Sequence, residues 1–151
     1  MIKKITKYMN LLLKFFVFLM FLQFSTTFAN ENFFSEAQNL YKEQKYDESK
    51  FLFQRNIVFN PKDSKSYLYL AKIFHAEENE KEEEKNLNTV LLLEPNNEDA
   101  MYMLMDMQLK RSNYSKVKEL LGNFSKICKS LCNKKILIKE RLKNIEANES
   151  S

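Results

Sequence analysis

The chain is 151 residues long, which suits a single domain, and its one glycine and two prolines are too few for the many turns of a strand-rich fold. This composition favours an all-α structure and excludes the glycine-rich loops that bind phosphate in dinucleotide-binding and P-loop proteins. The formal charge of +4 (24 basic minus 20 acidic residues) comes entirely from four lysines within the first 29 residues, so overall basicity is no argument for nucleic-acid binding.

The first 29 residues have the pattern of a secretory signal peptide. A lysine-rich start is followed by the apolar run FFVFLMFLQF and then by small residues ending at Ala29. We predict cleavage after Ala29 and export to the bacterial periplasm. The alternative is an uncleaved inner-membrane anchor facing the periplasm, because the apolar stretch counted from Leu11 approaches the length that spans a bilayer.

Beyond this leader, the chain repeats a pattern of residues. Its interval equals the distance between the two prolines (95 − 61 = 34), and we call this interval the repeat period. Pro61 and Pro95 each end an apolar run and precede a short polar turn. Proline lacks a backbone donor and disfavours the helical conformation in the residue before it, so each one ends a helix. We call each stretch of one repeat period a row. Within each row, apolar residues recur at intervals of three and four positions, which predicts helices with one apolar stripe. We predict a domain at 30–147, with hairpins at about 30–63, 64–97 and 98–131, a capping helix at 131–147 and a tail at 148–151.

These rows resemble the tetratricopeptide repeat (TPR), a unit of two antiparallel helices with the same period. The positions that carry the family's pattern are Phe33, Ala37, Leu40, Ser49, Phe53 and Pro61 in the first row; Tyr67, Ala71, Phe74, Glu83, Leu87 and Pro95 in the second; and Met101, Met105, Gln108, Val117 and Leu121 in the third. The sequence departs from the pattern at Glu36 and Glu83, where the family has leucine and a small residue, and at Lys129, where it has proline. The resemblance implies an all-α, right-handed solenoid of about three helical hairpins closed by a C-terminal capping helix.

The resemblance also implies a binding site for a protein or peptide partner. In this family the first helix of each repeat lines a concave groove that holds extended peptides or partner helices. Carried over to this sequence, the groove residues are Phe34, Gln38, Tyr41, Leu68, Lys72, His75, Tyr102, Asp106 and Leu109. Aromatic and aliphatic side chains beside a few charges are typical of peptide recognition, and the alternative for each residue is a solvated helix face.

Charges are unevenly distributed along the predicted domain. Residues 77–106 contain ten acids and two lysines, whereas residues 110–143 contain eleven bases and two acids. Exposed opposite charges of this kind steer association, with a partner or with another copy, and are screened by salt.

Catalytic and metal sites find little support in the sequence. His75 is the only histidine, and no nucleophile can be placed beside it. The acidic segment AEENEKEEEK lacks the ligand spacing and glycine of a calcium loop, so we expect a solvated turn. The alternating methionines of residues 101–107 could suggest a copper site, but a helix directs them to different faces, which favours core packing.

Cys128 and Cys132 are the only cysteines, and they stand where the third hairpin should turn into the capping helix. In an oxidising periplasm two nearby thiols tend to pair, and a bridge would fix this bend, where Lys129 replaces the usual proline. The alternative is two reduced cysteines packed as small hydrophobes. A catalytic redox pair usually has two intervening residues, whereas three separate these cysteines.

The sequence therefore predicts a non-catalytic interaction module or adaptor of the bacterial cell envelope, which binds a peptide or partner helix in its concave groove. The alternatives are a membrane-anchored subunit of an envelope assembly complex and, with less support, a metal-handling or thiol-redox protein. No cofactor, metal or nucleic acid is expected, and the protein contacts the membrane only if the leader is retained.

Overall fold

The computed structural model describes residues 33–149 and Lys14, so the predicted signal peptide or anchor at 1–29 falls, apart from that lysine, outside the described residues. Residues 33–149 form helices joined by short turns, without strands: α1 Phe33–Lys42, α2 Tyr46–Phe59, α3 Ser64–Ala76, α4 Glu80–Leu93, α5 Glu98–Lys110, α6 Tyr114–Ile127 and α7 Cys132–Glu149. Consecutive helices pack against each other, so the predicted all-α fold of helical hairpins is confirmed. Among the described residues, no helix combines the length and hydropathy needed to cross a membrane.

The repeat period also appears in the backbone of the hairpin turns. Gln44, Glu78 and Ser112, which follow one another at this period, have φ values of 61°, 56° and 56°. This left-handed conformation costs a non-glycine residue about 1–2 kcal/mol, so the packing of the two helices must hold each turn in place. Asn79 and Asn113 follow two of these turns and cap α4 and α6 by accepting a backbone N–H from the third residue beyond them.

Two hydrophobic clusters hold the hairpins together. The first joins α1, α2 and α3 and contains Ala37, Phe53, Leu70, Ile73 and Phe74. The second runs from α3 to α7 and includes Leu87, Val90, Met105, Phe124 and Ile138. Where the helices of the first hairpin cross, the small residues Ala37 and Ser49 are fully buried, and the Ser49 hydroxyl donates to the Ala37 carbonyl at 2.8 Å. No hairpin buries its own apolar face, so the clusters form only because the hairpins stack.

The methionines of α5 belong to this second core. Met101, Met105 and Met107 are buried, and Met103 packs against the cluster from its edge. Flexible thioethers fill irregular gaps between helices, which is the role predicted for them. Within the described residues, no group of three or more His, Cys, Asp or Glu side chains is arranged to hold a metal ion.

The repeat pattern has a proline in the connection between α6 and α7, and this chain lacks it. A carboxylate from α5 holds the connection instead. Glu98, at the start of α5, accepts backbone N–H groups from Lys129 at 2.7 Å, from Ser130 at 3.1 and 3.2 Å, and from Leu131 at 2.6 Å. A disulfide joins Cys128 to Cys132, with the Cα atoms 5.2 Å apart, and thus brackets these three amides. The connection is therefore fixed to the beginning of α5, and α7 follows from it at a defined position.

Replacing Phe53 by alanine should lower the free energy of unfolding by about 3–5 kcal/mol, because the fully buried ring fills the first cluster. Phe51, two residues away on the same helix, is 60% exposed, so Phe51→Ala should change the stability by about 0.5 kcal/mol or less. Urea titrations of both variants measure the difference. Similar losses for the two would contradict the assignment of Phe53 to the core.

The disulfide should be present in protein isolated from cells under non-reducing conditions. We expect no alkylation of the intact chain before reduction and two alkyl groups, on Cys128 and Cys132, after reduction. Intact-mass spectrometry measures both. Uptake of two alkyl groups without prior reduction would show that the bridge does not form in the cell.

Glu98→Gln should destabilise the protein near neutral pH but not in acid. The backbone N–H of Leu131, helped by those of Lys129 and Ser130, lowers the pKa of Glu98. A carboxylate with a lowered folded-state pKa stabilises the fold above its unfolded-state pKa, and this contribution is lost as pH falls through the lowered value. Thermal unfolding midpoints of Glu98→Gln and wild type, measured from neutral to acidic pH, give the difference in stability.

The control for this experiment is Asp99→Asn, which removes the neighbouring carboxylate of the same helical turn. The amides of the α6–α7 connection bond to Glu98 rather than to Asp99, so the control should not show the same loss in acid. A difference between Glu98→Gln and wild type that stays constant into acid would mean that the charge of Glu98 is not what holds the connection.

Candidate functional site: the inner face of the first helices

The predicted groove residues lie on α1, α3 and α5, the first helices of the three hairpins. Side-chain contacts link these helices in series and continue to the capping helix. α1 contacts α3 through Tyr69, α3 contacts α5 through Lys72 and Asp99, and α5 contacts α7 through Asp106 and Arg141. We call the side of α1, α3, α5 and α7 that carries these contacts the inner face. It is the surface on which the sequence predicts a bound peptide or partner helix.

An aromatic cluster centred on Tyr69 occupies the inner face between α1 and α3. The Tyr69 ring stacks on Phe53 at 4.9 Å and meets Tyr41 and Phe34 edge to face at 5.1 and 5.9 Å. The side-chain amide of Gln38 donates to the Tyr69 hydroxyl at 2.6 Å. Three predicted groove residues therefore surround one ring that the prediction did not include.

This cluster is only partly covered. Phe34, Gln38, Tyr41, Tyr69 and Lys72 are all half-buried, so each keeps some surface open to solvent. Burial, followed by the nearby hydroxyls of Tyr46 and Tyr69, raises the pKa of Tyr41, so its phenol stays protonated at neutral pH. Rigid aromatic rings edged by an amide and hydroxyls offer apolar contact together with hydrogen bonds to a peptide backbone.

Lys72 lies at the edge of this cluster towards α5. Its ammonium is 5.5 Å from the centroid of the Tyr69 ring and 4.0 Å from the Asp99 carboxylate. The contact with the ring is within the range of cation–π attraction, whereas the contact with Asp99 is long for an ion pair. The Lys72 ammonium thus lies beside the aromatic rings, where an acidic ligand group could pair with it.

Two predicted groove residues are buried, and that part of the prediction is corrected. Leu68 and Leu109 are only 9% and 5% exposed and belong to the second hydrophobic cluster. Both side chains pack within this cluster, so they contribute to the core and present little surface to a ligand.

On the third hairpin's part of the inner face, two predicted groove residues contact α7. The Lys134 ammonium lies 5.0 Å from the centroid of the Tyr102 ring, and the Arg141 guanidinium donates to the Asp106 carboxylate. Burial raises the pKa of Asp106, but hydrogen bonds from Arg141 and Lys110 outweigh it and lower that pKa overall. Tyr102 and Asp106 therefore contact the capping helix, and a ligand at these half-buried residues would compete with those contacts.

His75 has a structural partner in Glu83. Its Nδ1 lies 3.0 Å from a carboxylate oxygen of Glu83, which is buried at the crossing of α3 and α4 where the repeat pattern calls for a small residue. Burial raises the pKa of Glu83, and the histidine opposes that shift. The α3–α4 hairpin thus accommodates the unusual glutamate by pairing it with His75, whose ring is otherwise exposed.

Sequence reasoning missed Tyr69 on this face. Tyr69 stands one position beyond Leu68, where the pattern used to choose groove residues did not reach. Only the contact between α1 and α3 shows that its ring lies among the predicted residues.

Solved structures share this fold. No protein-family model and no curated protein sequence matches the chain, so membership of the TPR family is not confirmed. The type III secretion translocator chaperone SycD of Yersinia enterocolitica superposes with a TM-score of 0.69 at 15% identity, over 80% of this chain and 86% of SycD.

Two further structures are complexes. SycD bound to a peptide of the translocator YopD superposes with a TM-score of 0.66 at 17% identity, over 79% of this chain and 93% of that one. A chain of the CopN–Scc3 complex gives 0.61 at 18% identity, over 75% of this chain and 66% of that chain. At these identities the likeness shows the fold: this chain is similar to the helical solenoids of secretion chaperones.

Proposed function

We propose that this protein is a non-catalytic adaptor or chaperone that binds a peptide or helix of a partner protein on the inner face of its first two hairpins. The observation that carries the proposal is the half-exposed aromatic cluster around Tyr69. It combines ring surface, the Gln38 amide and the Lys72 ammonium within one patch. Such patches bind peptides because aromatic anchors supply buried area at low entropic cost.

The comparisons support the same type of ligand. One structure of the similar fold is that of SycD holding a peptide of YopD, so a solenoid of this kind can accommodate a peptide. The low identity means that the ligand's sequence does not transfer to this chain. We infer its chemistry from the Tyr69 cluster: an apolar or aromatic side chain against the rings, with a carboxylate or carbonyl near Lys72.

The proposed binding surface is centred on the first two hairpins, where the aromatic rings lie. In the third hairpin, Tyr102 and Asp106 contact Lys134 and Arg141 of α7, so a ligand there would compete with these contacts. The aromatic rings on α1 and α3 favour a short peptide segment over a long helix lying along all three hairpins.

We place this adaptor in the bacterial periplasm on the basis of the secretory pattern in the first 29 residues. The second candidate is a membrane-anchored subunit of an envelope complex, which the length of the apolar stretch favours. N-terminal sequencing of protein from the envelope separates them: a start at Asn30 supports export with cleavage, and a start at Met1 supports the anchor.

Binding is tested by selecting peptides from a display library on the purified protein and measuring the affinity of the strongest binder by calorimetry. Tyr41→Ala should weaken this affinity by about tenfold or more, as expected for an aromatic contact at the centre of an interface. The thermal midpoint of the variant is measured alongside, and binding is compared well below it.

The matched control is Leu92→Ala, which removes an 81% exposed apolar side chain from α4, a second helix of its hairpin. We expect wild-type affinity for this variant. Equal affinity of Tyr41→Ala and wild type, or equal losses in both variants, would remove the inner face from consideration as the peptide site.

A further inference from the structure

The first hairpin carries an apolar depression of about 540 Å³ on α1 and α2. Its apolar lining is Leu40, Leu52 and the 60% exposed ring of Phe51, and its rim is acidic, with Glu36, Asp47 and Glu48. We call it the acidic slot. Asp47 is paired at 3.2 Å with Lys50, whereas no ion pair to Glu36 or Glu48 is found among the described residues.

The later hairpins show what covers this kind of surface. Three residues of the slot have buried counterparts one and two repeat periods later. These are Leu70 and Leu104 for Glu36, Phe74 and Gln108 for Leu40, and Asn86 and Leu120 for Leu52. Two of them, Leu70 and Phe74 of α3, belong to the first cluster together with Ala37 and Phe53 of the preceding hairpin. The described residues contain no hairpin before the first one, and there Leu40 and Leu52 are half-buried and Phe51 is exposed. The part of the acidic slot around Leu40 and Leu52 therefore corresponds to a boundary between hairpins, whereas the counterparts of Phe51, Lys85 and Glu119, stay exposed.

The last helix presents a complementary surface. Ile136 is 56% exposed and Lys139 and Lys143 are exposed, at a spacing of three and four residues that places them on one side of α7. Ile136 and Lys143 stand one repeat period after Tyr102 and Leu109, in the rows through which α1 contacts α3. We call Ile136, Lys139 and Lys143 the basic face.

We propose that the protein associates with itself head to tail, the basic face of one copy docking on the acidic slot of the next. Both surfaces combine exposed apolar side chains with charge: the rim of the slot is acidic, and the two lysines of the basic face outnumber Glu140, the exposed carboxylate beside them on α7. Pairing either surface with the same surface of another copy would bring like charges together, which disfavours a dimer in which one of these surfaces meets itself. Head-to-tail contact instead continues the stacking that already joins the hairpins and leads to a chain or a ring.

This inference does not depend on the proposed peptide site. The Tyr69 cluster lies on the inner face, whereas the acidic slot is lined by residues of α1 and α2 that do not belong to that cluster. A failure to bind peptides would leave the self-association intact, and a monomeric protein could still bind peptides.

Sedimentation velocity over a concentration series tests the proposal with the protein as isolated, after its N-terminus has been sequenced. We expect the wild-type protein to show a concentration-dependent increase in mass that higher ionic strength reduces, because exposed charges are screened over about 8 Å at physiological salt. A protein that stays monomeric up to its solubility limit would overturn the proposal and leave the slot to a different partner.

Charge reversal then identifies the two surfaces. Glu36→Lys with Glu48→Lys reverses the slot, and Lys139→Glu with Lys143→Glu reverses the basic face. Each double variant alone should associate at least about tenfold more weakly than wild type, and an equimolar mixture of the two should regain association because their remaining surfaces are complementary. Lys62→Glu, in the turn between α2 and α3, is the control and should behave as wild type.

Two outcomes would overturn the head-to-tail arrangement even if the protein self-associates. Loss of association in only one double variant would show that the corresponding surface pairs with itself. Failure of the mixture to regain association, with both variants folded by circular dichroism, would show that the slot and the basic face do not meet.

Discussion

The whole structure depends on one constraint: a two-helix hairpin cannot bury its own apolar face and must stack on another. Phe53 shows the consequence, since its ring is enclosed only when α1, α2 and α3 are together. The strict repeat period follows from this, because each hairpin must present the same face to its neighbour. Even the strained turn residues Gln44, Glu78 and Ser112 keep this period.

Stacking also decides which part of the inner face remains for binding. The interactions that hold successive first helices together draw on the same rows of residues that would contact a ligand. At the C-terminal end, Arg141 and Lys134 of α7 contact Asp106 and Tyr102. At the N-terminal end, the rings around Tyr69 join α1 to α3 and still keep surface exposed. In this short solenoid, the side chains that join one helix to the next thus reduce the area that is left for the proposed binding of a partner.

Two departures from the repeat pattern inside the described chain are each compensated by polar contacts. Glu83 would be costly as an unpaired buried carboxyl, and His75 supplies the partner. Lys129 provides no stop signal of the kind that proline gives, and the three amides bound to Glu98 together with the Cys128–Cys132 bridge hold the bend instead. In both places a hydrogen-bonded group fixes a geometry that the usual side chain would have imposed sterically.

The sequence by itself determined the helices and their hairpins, because the apolar period, Pro61 and Pro95 are local signals that act within a few residues. It also placed Phe34, Gln38, Tyr41 and Lys72 on one surface through the repeat register. Only the tertiary structure decided that Tyr69 lies at the centre of that surface, that Leu68 and Leu109 are core residues, and that Tyr102 and Asp106 contact α7. The reason is physical: these outcomes depend on contacts between side chains far apart in the sequence, and the exposure of a residue on a helix is set by the neighbouring helix rather than by its own periodicity.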